Sequence, residues 1–289
     1  MLLAQPGVMT SLSRRATATL SGLGLVVLFA LVRYVPDIGA ADRSASLGRL
    51  DSGTALMAVE RVALATISVV TLVAGLLVLA AYAARRQGVG AAARVSAAVI
   101  GAVVSAELLK HVLPFDPMPT STGGVTTSGS FPSGHSAIAA SVALAIVATV
   151  GPRLARLWWG PLVAWVSLVA AGTVAAGWHR PSDAVGGVLM AVLWHAALVR
   201  RPAPDAGVVA RAPHEPTSAG GIPGWRWWAL MCAAILAGAV APRVGTDVDL
   251  GETASRLYLL GLGAVLATTG ALMLLGPQRL PTAVATRRT

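Results

Sequence analysis

Eight long apolar stretches alternate with short polar ones along the chain: approximately 17–35, 62–82, 95–113, 134–150, 161–178, 184–199, 227–242 and 257–275. A bilayer core of about 30 Å needs about 20 largely apolar residues per helix. The pattern predicts an all-α, polytopic membrane helix bundle. Its units are a six-helix core over residues 1–200, a Pro/Gly-rich cytoplasmic linker over 201–226, and a two-helix appendage with a basic tail over 227–289. The N-terminal run, with Arg14 and Arg15 ahead of an apolar stretch, reads as an uncleaved first helix.

Composition supports this reading. Only 12% of the 289 residues are charged and mean hydropathy is +0.72, whereas a soluble domain carries roughly 25% charged residues. The net charge of +10 would fit a nucleic-acid partner, but its distribution points elsewhere. With the N-terminus inside, 14 of the 22 basic residues fall on cytoplasmic segments, against two acids, Asp205 and Glu215. That is the positive-inside bias. It places both termini in the cytoplasm and excludes a nucleic-acid footprint. The lone Cys232 provides neither a disulfide framework nor a thiol metal site.

Within the core, polar residues cluster at Glu107–His135 and Trp178–Asp183, both expected on the outer face. Pro132-Ser133-Gly134-His135 opens an apolar helix. Ser is a good N-cap, and the free N–H groups of a helix start hold anions, phosphate most often. His179 and Asp183 stand four apart beside Pro181, which suits a first helical turn. A carboxylate on one ring nitrogen leaves the other free to attack or take a proton. Lys110, the single lysine beside 21 arginines, ends the third stretch, with Glu107 one turn earlier as an ion-pair partner. Two histidines, a carboxylate, an ammonium group and an anion-binding helix start suit metal-free phosphoryl transfer through a phosphohistidine.

A lysine at a helix end, then PSGH, then H-x3-D resembles the type 2 phosphatidic acid phosphatase superfamily, over roughly residues 55–200. The resemblance implies His179 as nucleophile, Asp183 as its orienting partner and His135 as general acid. It implies Lys110, Ser133 and Gly134 as phosphate ligands, with no metal and no cofactor. The implied substrate is a phosphorylated lipid, such as a polyprenyl diphosphate or phosphatidic acid, met at the outer face of the plasma membrane. The oligomeric state is left open.

Two positions depart from the family pattern. Phe115-Asp116 or Asp116-Pro117 stands where an Arg-Pro pair is expected, and Thr173 stands six residues before His179 in place of an arginine. Arg180 and Thr173 are possible phosphate ligands in their place, with anchoring in the lipid headgroups the other role for Arg180. The departures keep two alternatives open. One is a weak or inactive homologue that binds phosphorylated lipid or a membrane partner; the other is a phosphotransferase with an acceptor other than water.

Overall fold

The computed structural model describes residues 14–47, 62–114 and 129–199, together with Val265. Among the described residues the chain is helical, without strands. The helices are α1 (Arg14–Tyr34), α2 (Pro36–Leu47), α3 (Val69–Gln87), α4 (Val89–Val112), α5 (Gly134–Thr149), α6 (Pro152–Ala175) and α7 (Pro181–Leu198). One further helical turn covers 62–65. Five of them (α1, α3, α4, α6 and α7) are long and apolar enough to cross a membrane. The linker at 201–226 and the apolar stretches at 227–242 and 257–275 lie outside the described residues, apart from Val265. That residue is buried among Ala170, Ala171, Val174, Ala175 and Ala184.

Local chemistry moves several boundaries from their expected places. The second span starts at Val69 because Ser68 accepts the Thr71 N–H while the Thr71 hydroxyl accepts the Ser68 N–H, a reciprocal cap that ends the preceding turn. The fifth starts at Pro152, nine residues before the expected 161, since proline fits a first helical turn. The sixth starts at Pro181 for the same reason. One element was not expected: the segment after the first span folds into α2.

α5 and α7 form the centre. α7 packs on α1, α4, α5 and α6, and α5 packs on α3, α4, α6 and α7. At 16 residues α5 spans about 24 Å, short of the bilayer core. The loop before it is covered by protein, with Pro132 and Ser133 buried next to Gly134, the first residue of α5. Small residues let the centre close up. Ala137, Ala139, Ala140, Ala143 and Ala145 of α5 are buried, as interfaces without a hydrophobic drive require. Large apolar side chains such as Val26, Val69, Leu77 and Val78 stay exposed on α1 and α3, facing where lipid would lie.

Two glycines of α7 set how closely the loop before α5 approaches that helix. A Cβ on Gly186 would lie 2.7 Å from the Phe131 ring, and one on Gly187 would collide with the Ser133 carbonyl and come within 3.0 Å of the Ala137 nitrogen. Without those methyls the 131–133 loop lies directly on α7.

Candidate active site

The start of α5 is an open set of donors. Ser133 is the N-cap, and its hydroxyl accepts the Ser136 N–H at 3.4 Å, a long bond. The Ala137 N–H reaches the Ser133 carbonyl at 3.0 Å. Among the described residues no acceptor is bonded to the N–H groups of Gly134 and His135. Beside them stand two side chains from the end of α4. A Cβ on Gly134 would lie 2.6 Å from Glu107 Oε1 and 3.3 Å from Lys110 Nζ. Lys110 donates to Glu107 at 2.8 Å. A carboxylate thus already sits beside the α5 start, paired with the ammonium group expected to hold phosphate.

The second half of the site is built by the end of α6. Gly177 turns the chain with φ of 72°, a conformation suited to glycine. The N–H groups of Trp178 and His179 then fold back onto the Thr173 carbonyl at 3.0 and 3.1 Å. This fixes the backbone of His179. Thr173 itself is fully buried and its hydroxyl donates to the Ala170 carbonyl at 2.8 Å. Here Thr173 contributes backbone anchoring, and its hydroxyl is occupied within its own helix.

α7 supplies the partner of His179. Asp183 Oδ2 accepts the Arg180 N–H at 2.8 Å and lies 3.6 Å from His179 Nδ1. That separation exceeds a hydrogen bond, and His179 Nδ1 is buried without a hydrogen-bond partner among the described residues. The Asp183 carbonyl accepts the Ser133 N–H at 2.8 Å, so one residue joins the two halves. His135 lies within electrostatic reach of His179, Lys110 and Glu107, and its ring centroid is 5.3 Å from that of Trp178. All the residues singled out in the sequence (Lys110, Ser133, Gly134, His135, His179, Arg180 and Asp183) therefore gather at one end of the bundle, with Thr173 beneath them.

Arg180 is 8% exposed and occupies the N-cap position of α7, which does not suit a headgroup anchor in solvent. It lines a cleft with Phe29, Arg33, Leu113, Phe131 and Asp183. That cleft opens on the α1 side of α7 and does not include the two histidines. Asp116, the acid in the first departure from the pattern, lies outside the described residues.

One site residue escaped the sequence reading. Asp42 of α2 accepts the Ser182 N–H at 3.0 Å through Oδ1 and the Ser182 hydroxyl at 2.7 Å through Oδ2. No spacing could have flagged it, because 140 positions separate the two residues. Burial, and then the charge of Asp183, push its carboxyl up to about 6, with the Ser182 bonds and Arg180 pulling the other way. Among the described residues no group of three or more His, Cys, Asp or Glu is placed to hold a metal ion.

The fold is that of a polytopic helical bundle, with the polar residues described above gathered at the starts of two central helices. Residues 91–204 match the family model described as the PAP2 superfamily, whose members generally hydrolyse phosphoric esters, and this match supports a likeness to that superfamily over the segment. The match takes in α4 almost whole, α5, α6 and α7, but neither α1 nor α2. No curated protein and no solved structure matches the chain.

Proposed function

We propose that the protein is an integral-membrane phosphatase that releases phosphate from a lipid phosphomonoester or diphosphate through a phosphohistidine, without a metal. The observation that carries this reading is the pairing of His135 and His179 at the starts of two touching helices, one with free amide donors beside Lys110, the other with a carboxylate behind its histidine.

In this reading the phosphoryl group sits at the start of α5. The Gly134 and His135 N–H groups, with Lys110, hold its oxygens and take up the charge that grows in the transition state. The ring nitrogen of His179 remote from Asp183 attacks phosphorus. A nitrogen–phosphorus bond forms as the bond to the leaving oxygen breaks, and His135 gives that oxygen a proton. Asp183 stabilises the charge gathering on His179. His135, now neutral, takes a proton from water as that water attacks phosphorus. The nitrogen–phosphorus bond breaks, phosphate leaves, and both histidines return to their first state.

The match to the PAP2 superfamily model over residues 91–204 supports a phosphatase-type function. The positive-inside pattern supports an outward-facing site in the plasma membrane, with both termini cytoplasmic, which suits a polyprenyl diphosphate. A second reading, a protein that binds lipid phosphate with little or no turnover, is favoured by one observation. The buried Thr173 hydroxyl, spent on Ala170, stands where the family pattern has an arginine. Transfer to an acceptor other than water would use the same first step.

The deciding experiment is phosphate release by the purified protein in detergent with EDTA present. Phosphatidic acid, phosphatidylglycerol phosphate and a polyprenyl diphosphate are offered beside a His179→Ala control. Release in wild type, reduced at least about 10³-fold in the variant, is the expected result. A folded protein that binds these lipids but releases nothing would leave the binding reading in its place.

A further inference from the structure

α2 lies outside the segment that carries the family match, yet it reaches the catalytic corner. Asp42 spends both carboxylate oxygens on one residue, Ser182, the second of α7. The chemistry of that helix start explains why a partner is needed. Pro181 brings no N–H. The Arg180 N–H is taken by Asp183, and those of Asp183 and Ala184 turn back to the Arg180 carbonyl at 3.1 and 3.3 Å. The Ser182 N–H is the donor left over, and Asp42 is what satisfies it. Next to it stands Asp183, whose carboxylate must face His179 Nδ1 and whose carbonyl holds Ser133.

We infer that Asp42 is a positioning residue: by clamping Ser182 from α2 it fixes the first turn of α7 so that Asp183 presents His179 to the phosphate held at the α5 start. This rests on the phosphoryl-transfer reading above. It adds a part that the motifs do not contain, supplied by the helix pair α1–α2.

The carboxylate accepts both Ser182 donors at once, one on each oxygen. Ser or Asn could satisfy the same donors without bringing a second negative charge beside Asp183. The charged groups acting on Asp42 are Asp183 and Arg180, both from the start of α7. Arg33 ends α1, and Asp37 and Arg43 share α2 with it. Burial and Asp183 outweigh Arg180, so the ionised form is kept against the preference of its surroundings.

The test separates alignment from simple anion binding and does not depend on turnover. Orthovanadate adopts the five-coordinate geometry of phosphoryl transfer and needs an aligned His179, whereas inorganic phosphate needs only the donors of the α5 start. Both are titrated into the full-length protein in detergent, with Tm recorded for each variant. Asp42→Ala is expected to weaken vanadate by about 10-fold or more and phosphate by less than about 2-fold. Asp42→Asn, which can still accept the Ser182 N–H, is expected to recover most of the loss. Ser182→Ala, which keeps the backbone bond, is expected to show a loss of a few-fold and serves if Asp42→Ala does not fold. Equal losses for both anions, or none, would overturn the positioning role while leaving the phosphate site standing. Wild-type protein that binds neither anion would remove the site itself and the inference with it.

Discussion

The starts of α5 and α7 touch through the Ser133–Asp183 hydrogen bond yet treat their amide donors in opposite ways. At α7 every donor is matched from within the chain: Asp183 takes Arg180, Asp42 takes Ser182, and the Arg180 carbonyl takes the next two. At α5 the Gly134 and His135 donors have no acceptor among the described residues, and the cap on Ser136 is long. A helix start with its donors filled is a rigid mount; one with donors to spare is a seat for an outside anion. The same motif of helix geometry thus does two jobs a few ångströms apart. The difference lies in which side chains the chain supplies.

The joint between the two starts is the place to break this arrangement. Gly187→Ala would drive a methyl into the Ser133 carbonyl and against Ala137. Backbone cannot yield as a flexible side chain can, so a destabilisation of about 2–3 kcal/mol is expected, read as a fall in Tm. An unchanged Tm would mean that the loop and α7 are not locked together.

The filled start can be probed through pH. The Asp42 carboxyl keeps its proton up to about pH 6 when folded, against 3.8 for an ordinary aspartate. Between those values the folded chain holds more protons than the unfolded one. Stability contributed at this position is therefore highest below pH 4 and falls as pH rises through 6. Asp42→Asn should flatten that fall and be more stable than wild type at pH 7.5, by at most about 3 kcal/mol and less with solvent screening. A variant less stable at every pH would show that the charge holds the fold together instead of burdening it.

The open start offers the smallest effect. Glu107 Oε1 sits beside Gly134 and pairs with Lys110, so it competes for the seat. Glu107→Gln should tighten inorganic phosphate by a few-fold. The gain is small because the side chain is 54% exposed, and it should shrink further in high salt. Weaker binding in the variant would make the carboxylate a support for Lys110 and not a rival of phosphate.

Much of this was legible in the sequence, and the parts that were not share a cause. Apolar run lengths pointed to the all-helical polytopic bundle because a bilayer asks for long apolar helices, and five of the described helices reach that length. The motif residues were legible because Ser133, His135, His179 and Asp183 sit at helix starts, where a polar residue in an oily chain stands out. Asp42 was hidden. It lies in a polar segment where an acid attracts no notice, and its meaning depends on a contact across 140 positions. Thr173 was read as a possible ligand, but its carbonyl holds the His179 loop and its hydroxyl bonds Ala170. Backbone roles leave no mark on side-chain identity. Gly186 and Gly187 of α7 carry no motif signal, because what they admit is a loop more than 50 positions away in sequence.

Trp178 is 52% exposed and its ring lies against that of His135. Indoles concentrate at the level of lipid headgroups, and a Trp178 at that level would mark the depth of His135 beside it. A lipid phosphate at that level would stand about as high as His135 without being lifted out of its leaflet. Its supply would then be a matter of two-dimensional diffusion, set by the number of substrate molecules per area of membrane and not per volume of solution. Turnover measured in mixed micelles should follow the mole fraction of substrate on the micelle surface, and stay constant when micelles are diluted with buffer.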